Sequence, residues 1–189
     1  MLESERLILR PFRPEDGADV YEYLHEPMVH CFACMKVDSM EEAAAAVKER
    51  QRDNCFAIVL KDTGKVIGEI DAMQEGSAPD KTEDCLDTFS PCWMLHRDYH
   101  GKGYAFEAAK LFFDYLFYEK GARRIYAYTE DYNLPSQRLC EKLGMRREGL
   151  FMEFVSFVND AEGKPIYENT YQYAILKKEW LHRMPMSGL

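Results

Sequence analysis

A short stretch of sequence, residues 99–105 (Tyr-His-Gly-Lys-Gly-Tyr-Ala), most constrains what this chain can fold into. Residues 89–95 before it are apolar and β-prone, which predicts a strand. After it, apolar side chains recur at three- and four-residue spacing, which predicts a helix with one buried face. Gly101 and Gly103 allow a sharp turn and leave the backbone N–H groups uncovered. Because a helix N-terminus carries unpaired N–H groups and partial positive charge, this pattern predicts a site for a phosphorylated ligand.

Two well-known phosphate-binding motifs do not match the spacing of this turn. A nucleoside-triphosphate P-loop has four residues between its glycines and then Gly-Lys-Ser/Thr, whereas one residue separates Gly101 from Gly103 and Tyr104 follows. A dinucleotide-binding fold has a third glycine at the position where Phe106 stands. A glycine-containing loop that binds no ligand stays open as the alternative at this point.

Length and charge narrow the class of protein. A chain of 189 residues suits one domain, which we place at residues 1–180, with 181–189 as a short C-terminal tail. The net charge of −9 disfavours nucleic acid as a partner, because a phosphate backbone requires a basic surface. No apolar run reaches the roughly 20 residues of a membrane span, and the N-terminus lacks a signal-peptide pattern. We therefore expect a cytoplasmic protein with no membrane partner.

Cysteine and histidine spacing does not indicate a metal site. Cys31 and Cys34 have C-x-x-C spacing, but no second pair and no His-x-x-x-His run completes a set of zinc ligands. The pair also does not open a helix after a strand, as a redox pair would. We therefore expect no bound metal.

The order of predicted elements indicates the fold class. Antiparallel strands come first, then strand–helix units, then a closing hairpin, which predicts an α/β (α+β) fold with helices on both faces of a mixed sheet. The predicted strands are 5–10, 55–60, 66–72, 89–95, 124–129, 154–158 and 171–176. The predicted helices are 15–24, 39–51, 104–119 and 133–144. Residues 74–87 are polar and acidic, which predicts a loop.

At this point the residues resemble a known family. Residues 93–108, which contain His-Gly-Lys-Gly-Tyr-Ala, and residues 133–145, which contain Asn133 and Ser136, are similar to the GCN5-related N-acetyltransferases (GNAT). The ends of the domain, residues 5–11 and 176–180, resemble the branch with the ribosomal-protein N-terminal acetyltransferases (RimJ/RimL-like). The resemblance implies a mainly antiparallel GNAT-like sheet.

The same resemblance implies a reaction and a set of binding residues. Acetyl-CoA would donate an acetyl group to a primary amine, either of a small molecule or of a protein N-terminus, and a homodimer is compatible with it. The glycine turn would bind the pyrophosphate, the preceding strand would pair with the pantetheine arm, and the N–H of Leu95 would polarise the thioester carbonyl. The implied acetyl-CoA-binding residues are Met94, Leu95, His96, His100, Gly101, Lys102, Gly103, Tyr104, Ala105, Asn133 and Ser136. Asn133 also fits a helix N-cap, and Lys102 also fits an ordinary surface lysine.

Three positions depart from the family pattern. Asp98 stands where many members have Gln or Arg, so we expect its side chain to point away from the pyrophosphate. Cys140 stands where many members have the tyrosine that protonates the leaving thiolate. Met152 stands where the branch often has Arg. Ser136, one helical turn before Cys140, is the nearest hydroxyl, and in the branch such a serine has that role. We therefore expect Ser136 to be the proton donor and Cys140 to be a small buried hydrophobe.

The group that accepts the amine proton is less constrained. Glu69 and Asp71 alternate onto one face of a predicted strand, and Glu153 follows the last predicted helix. We expect Glu69 or Glu153 to be the base, and an ordinary surface role is the alternative for each. An α-amino group has a pKa near 7.7–8.0, against about 10.4 for a lysine side chain, so water could suffice for an N-terminus.

Two further expectations concern the acceptor and the activity. The acidic segment 74–87 would favour cationic acceptors if it borders the site. An acyl-CoA-binding module with weak or lost catalysis is the alternative function, because Cys140 replaces the usual tyrosine.

Overall fold

The computed structural model describes residues 1–76 and 86–181. Within them the strands are β1 (Leu2–Glu3), β2 (Leu7–Arg10), β3 (Cys55–Leu60), β4 (Val66–Glu75), β5 (Thr88–Leu95), β6 (Arg124–Glu130), β7 (Arg146–Asn159) and β8 (Pro165–Leu176). The α-helices are α1 (Gly17–Leu24), α2 (Met40–Glu49), α3 (Tyr104–Tyr118), α4 (Leu134–Lys142) and α5 (Lys177–Leu181). Short 3-10 helices lie at Pro14–Asp16, His30–Met35 and Arg97–Tyr99.

The strands form one sheet with the order β1-β2-β3-β4-β5-β6-β8-β7. Each pair of neighbours is antiparallel except β5 and β6, which run parallel. This is the mixed, mainly antiparallel sheet expected from the sequence. Two parallel neighbours need a crossover between their ends, and α3 supplies it.

Helices cover both faces of the sheet, and the sheet separates two hydrophobic cores. On the face that we call the α1–α2 face, Val20, Leu24 and Val47 pack with alternate residues of β3. On the opposite face, the α3–α4 face, Phe112 and Leu139 pack with the other residues of β3. Burial on both faces explains why β3 is a continuous apolar run. The prediction that helices lie on both faces of the sheet is confirmed.

The helix ends follow local sequence signals. Ser39 caps α2 by accepting a hydrogen bond from the N–H of Glu42 at 3.1 Å, and Glu42 bonds back to the N–H of Asp38 at 2.7 Å. Gly121 and Gly144 follow α3 and α4 with φ of 73° and 82°, a backbone conformation that favours glycine.

Several predicted bounds differ from the structure. The closing hairpin is far longer than 154–158 and 171–176, because β7 and β8 pair along Arg146–Asn159 and Pro165–Leu176 around three register shifts. The first strand begins at Leu7 rather than residue 5, and the first α-helix begins at Gly17 after a 3-10 turn. The sequence pattern did not predict β1, the 3-10 helix His30–Met35 or α5.

The predicted acidic loop is only partly within the described structure. Gln74 and Glu75 continue β4 instead of starting the loop, and they pair with Phe89 and Thr88. Residues 77–85 of the predicted loop lie outside the described residues, as do 182–189 of the predicted tail. No helix within the described ranges is long and apolar enough to cross a membrane.

Gly68 of β4 lies against the backbone of β5 and leaves no room for a side chain. A Cβ at this position would lie 2.1 Å from the carbonyl oxygen of Met94, which is backbone and cannot move alone. We expect Gly68→Ala to lower the free energy of unfolding by about 1–3 kcal/mol and to shift β5 locally. Chemical denaturation would measure the change. Gly149→Ala is the matched control, because its Cβ would only touch the Phe151 ring at 3.8 Å; equal losses in both variants would contradict the prediction.

Candidate functional site

The central feature of the site is a cleft between β5 and β6. These parallel strands pair only at their N-terminal ends, where Thr88 lies opposite Arg124 and Phe89 opposite Ile125. Beyond these two pairs the strands have no further ladder partners in each other, although β5 continues to Leu95 and β6 to Glu130. The carboxyl ends of both strands therefore border an open cleft, the place where α/β sheets most often bind ligands.

The free edge of β5 presents main-chain groups to this cleft. The N–H of His96 donates to the Ile67 carbonyl at 2.8 Å, and in an antiparallel ladder such bonds recur at every second residue. The N–H groups of Trp93 and Leu95 therefore point away from β4, towards β6. They can bind an extended ligand as an added strand would.

The glycine turn has the conformation that its sequence predicts. Gly101 and Gly103 adopt φ of 72° and 84°, and a Cβ on Gly101 would meet nothing within 4 Å. Gly103 is the N-cap of α3, and the N–H of Glu107 is bonded to its carbonyl at 3.1 Å. The amides of Tyr104 and Ala105 precede Glu107, so they have no acceptor within the helix and can bind an anion.

The N-terminal segment holds the turn in place. Glu107 accepts hydrogen bonds from the Arg6 N–H at 2.8 Å, from Arg6 Nε at 2.7 Å and from Ser4 Oγ at 2.8 Å. Arg6 Nη1 donates to the Lys102 carbonyl at 3.0 Å, and its guanidinium lies 4.4 Å from the Tyr104 ring centroid. Partial burial opposes ionisation of Glu107, but these hydrogen bonds outweigh it and lower the pKa of the carboxyl. Arg6 thus braces the turn and adds positive charge beside it.

The two histidines near the turn also stabilise local backbone. His100 Nε2 lies 2.9 Å from the Leu95 carbonyl, so this nitrogen donates. His96 Nδ1 accepts from the N–H of Asp98 at 3.2 Å. The Asp98 side chain is 74% exposed, which agrees with the expectation that it points to solvent. Lys102 is exposed, with its ammonium 5.2 Å from the Tyr99 ring centroid.

The start of α4 lies at the other wall of the cleft, directly after β6. Asn133 caps the helix, because its side-chain oxygen accepts from the N–H of Ser136 at 3.3 Å. The Ser136 hydroxyl is partly exposed and has no hydrogen-bond partner within the described residues. Cys140 is fully buried in the core, and burial raises the pKa of its thiol to about 12. Cys140 is therefore a core residue, as expected.

Glu69 lies in a buried hydrogen-bonded ion pair on the α1–α2 face. Arg50 donates to its carboxylate from Nε at 2.5 Å and from Nη2 at 3.1 Å, and Tyr23 donates at 2.8 Å. Burial raises the pKa of the Tyr23 hydroxyl, and the neighbouring Glu69 charge raises it further. The carboxylate thus joins α1 and α2 to the middle of β4.

The other two candidate acids are more open to solvent. Glu153 is exposed, with a φ of 49°, at the largest bulge of β7. Its N–H is bonded to the Asn169 side chain at 2.9 Å, and Asn169 in turn donates to Asp131 at the end of β6. Asp71 is ion-paired with Arg52, and burial raises the pKa of its carboxyl. Glu153 therefore lies at the same end of the sheet as the cleft.

Some residues around the cleft carry no sequence signal for a site. Arg6 and Glu107 are bonded to each other although they are 101 positions apart in the sequence. Glu130, Cys31 and Thr170 also lie together although they come from three separate segments, so no local motif marks either group. Thr129 is also unexpected, since its hydroxyl at the end of β6 is buried with no partner in the described structure. Nor do the described residues contain a group of three or more His, Cys, Asp or Glu side chains placed to hold a metal ion.

The residues present fit a donor with an extended arm and a pyrophosphate. The free edge of β5 can pair with such an arm. The uncovered backbone at Gly101 leaves space for phosphate near the α3 amides, and Arg6 Nη2 lies beside Gly103, 3.3 Å from where a Cβ would be. The unpartnered Thr129 hydroxyl supplies a further polar group at the cleft.

The brace between Arg6 and Glu107 predicts a pH-dependent contribution to stability. Because the folded-state pKa of Glu107 is lowered below its ordinary value of about 4.3, the stabilisation is complete above that pH and is lost as the pH falls through the folded-state value. We expect Glu107→Gln to unfold at a lower temperature than the wild type at pH 7, and the difference to shrink below about pH 4. Thermal unfolding across pH would measure it. The exposed Glu119→Gln is the control, and a difference independent of pH would contradict the prediction.

Comparisons with known proteins agree with this geometry. The family model of the acetyltransferase (GNAT) domain matches residues 6–146. The uncharacterized N-acetyltransferase YnaD of Bacillus subtilis is 33% identical over 181 residues, which cover 95% of this chain and 98% of that protein. The uncharacterized N-acetyltransferase p20 of Bacillus licheniformis is 29% identical over 188 residues, covering 95% and 97%.

A solved structure of a GNAT-family protein has the same fold. A GNAT-family acetyltransferase from Bacillus anthracis superimposes with a TM-score of 0.80 at 30% sequence identity, covering 94% of this chain and 99% of that one. The chain therefore belongs to the GNAT family of acetyltransferases, which use acetyl-CoA as co-substrate, and it is an acyltransferase.

Proposed function

We propose that this protein transfers an acetyl group from acetyl-CoA to a primary amine by direct attack, without a covalent enzyme intermediate. The observation that carries the proposal is the free edge of β5 running into the glycine turn and the first amides of α3. Acetyl-CoA supplies an activated thioester, and the chain supplies binding, orientation and proton transfer.

The donor would be held along β5 and at the start of α3. Main-chain groups of residues 93–96 would pair with the pantetheine arm, and Gly101, Gly103 and Tyr104 would offer amides to the pyrophosphate. Lys102 and Arg6 add positive charge beside the phosphates. Asn133 would both cap α4 and contact the arm from the opposite wall of the cleft.

The N–H of Leu95 is our choice for stabilising the charge that develops on the thioester oxygen. It points into the cleft from a strand whose other edge is fixed to β4, so it needs no rearrangement to donate. A preorganised donor of this kind contributes about 2.7–4 kcal/mol to catalysis where it has been measured by substitution.

Ser136 is our choice for protonating the thiolate that leaves. Its hydroxyl lies at the start of α4, is partly exposed and has no partner in the described structure, whereas Cys140 is buried and neutral in the core. A proton delivered to the leaving group prevents the reverse attack and lowers the barrier.

Glu153 and Glu69 are the two carboxylates we propose for accepting the amine proton, and the structure makes them experimentally distinguishable. Glu153 is exposed near the end of β6 and is free of ion pairs within the described residues. Glu69 is nearly buried and already accepts from Arg50 and Tyr23. Removing the charge of Glu69 would therefore affect folding as well as any proton transfer.

For the acceptor we propose a primary amine of either a small molecule or a protein N-terminus. The RimJ/RimL-like resemblance of residues 5–11 and 176–180 supports a protein N-terminus as the acceptor.

The cytoplasmic location and the homodimer stay predictions from the sequence. The alternative function, an acyl-CoA-binding module, draws support from the loss of the usual tyrosine at Cys140.

The first test measures the release of coenzyme A thiol with N-terminal peptides, small amines and amino acids as acceptors. We expect turnover with one acceptor class, and a fall in kcat of about 100-fold or more in Ser136→Ala with coenzyme A affinity retained. Thr63→Ala, which removes an exposed hydroxyl in the turn between β3 and β4, is the control. An unchanged kcat in Ser136→Ala would exclude Ser136 as the donor, and tight coenzyme A binding with no turnover on any acceptor would favour the binding module.

The second test separates the two candidate bases. We expect Glu69→Gln to lower the free energy of unfolding by about 3–5 kcal/mol, because it leaves Arg50 buried without its counter-charge. Glu153→Gln should leave stability within about 0.5 kcal/mol of wild type, because the side chain is exposed. Denaturant unfolding gives the free energy of unfolding of both variants. The dependence of kcat/KM on pH, measured for each variant, reports whether the replaced carboxylate takes part in proton transfer. A stable Glu69→Gln protein would contradict the structural role of this carboxylate.

A further inference from the structure

A buried carboxylate without a counter-charge lies at the open end of the cleft. Glu130 is the last residue of β6 and is only 6% exposed. No Arg, Lys or His of the described residues forms an ion pair with it, and the Cys31 thiol is the one side-chain group there that donates to it. A thiol is a weak donor, so the carboxylate is poorly compensated. An isolated buried charge is costly, and such a group calls for an explanation.

The polar side chain next to Glu130 lacks a hydrogen-bond partner within the described structure. Thr170 on β8 is directly opposite Glu130 in the antiparallel ladder, so the two side chains lie on the same face of the sheet. Thr170 is 2% exposed, and its hydroxyl has no hydrogen-bond partner within the described structure. Two neighbouring buried polar groups therefore lie side by side: a carboxylate without a counter-charge and a hydroxyl without a hydrogen-bond partner in the described structure.

These groups lie on the α1–α2 face of the sheet, opposite the face on which α3 would hold the donor. Strand alternation places Glu130 on the face opposite Thr129, which means on the α1–α2 face and away from α3. Cys31 of the 3-10 helix His30–Met35 borders Glu130, because after burial the nearby carboxylate, through its charge and a hydrogen bond, raises the pKa of the Cys31 thiol. Glu130 therefore lies at the end of β6, beside the segment that follows α1.

The surroundings favour a cation over an anion or a neutral group. Glu168, on the same face of β8, is 7% exposed and accepts from His30 Nδ1 at 2.5 Å and from the Tyr132 hydroxyl at 3.3 Å. Further along the same face, Tyr128 lies 5.5 Å from the Phe154 ring and 6.1 Å from the Phe151 ring, and all three are exposed. Acids at the base and aromatic rings at the border suit an alkylammonium or guanidinium group.

We propose that Glu130, assisted by the Thr170 hydroxyl, binds a positively charged group of the acceptor other than the amine that is acetylated. This inference rests on the proposed function and narrows its substrate class to amines that carry a second positive charge. The reacting amine must be neutral, and a carboxylate in contact stabilises the protonated form. Glu130 therefore suits a charge that persists through the reaction, and it is a specificity residue rather than the base.

The test compares two acceptors that differ by one charge, 1,4-diaminobutane and butylamine, on the full chain saturated with coenzyme A. Calorimetry gives their affinities directly and does not depend on turnover. We expect the wild type to bind the diamine about 10-fold or more tightly than the monoamine, because a hydrogen bond between two charged groups is stronger than one between neutral groups. Glu130→Gln should abolish that ratio, and Thr170→Val should reduce it. Glu162→Gln, exposed in the distant hairpin turn, should preserve it.

Thermal unfolding of the same variants separates a binding role from a structural one. Glu130→Gln should be at least as stable as the wild type, because it removes an uncompensated buried charge without changing the shape of the side chain. A Glu130→Gln protein that is clearly destabilised or fails to fold would show that the fold itself needs the carboxylate, and would overturn the proposal. Equal affinity of the wild type for both amines, or an unchanged ratio in Glu130→Gln, would overturn it as well.

Thiol release with the same two amines distinguishes this inference from the proposed function. Acetylation of both amines at similar kcat/KM would leave the acetyltransferase proposal standing and reject the role of Glu130. Diamine binding that depends on Glu130, without any acetyl transfer, would support the cation site and reject the transfer reaction.

Discussion

The rest of this structure depends on the early separation of two parallel strands. After two residue pairs β5 and β6 no longer bond to each other, so a row of main-chain groups in the middle of the sheet lacks a sheet partner. An interior strand edge of this kind is costly to leave open, and a ligand that pairs with it recovers the lost hydrogen bonds. The cleft, the exposed N–H of Leu95 and the position of α4 all follow from this one break in the ladder.

Two groups of charged contacts, on opposite faces of the sheet, fix the elements that surround the cleft. On one face Arg50 and Tyr23 fix Glu69, which joins α1 and α2 to β4. On the other face Arg6 and Glu107 fix the glycine turn to the start of the chain. Each carboxylate receives several donors at once, so its geometry is set before any ligand arrives. A site built in this way needs little reorganisation when it binds.

The polar groups that lack a hydrogen-bond partner or a counter-charge within the described structure gather where binding is expected. The first amides of α3, the hydroxyls of Thr129 and Thr170, and the carboxylate of Glu130 all lie at the carboxyl ends of β5 and β6 or opposite them in the ladder. Elsewhere buried polar side chains of the described residues have partners, as with Arg10 and Asp16 at 2.7 Å. Proteins commonly retain such local costs to stability at functional sites.

Sequence alone determined the elements whose signals are local. The apolar run of β3, the capping of α2 and α4, and the glycine turn into α3 follow from the conformational preferences of adjacent residues, and each lies where it was predicted. Only the tertiary structure decided the length of β7, the brace from Arg6 to Glu107, and the meeting of Glu130 with Cys31 and Thr170. The length of β7 is set by its register with the next strand, and the other two features join segments far apart in the chain. In all three cases strand register and side-chain packing set the contacts, and no local periodicity records them.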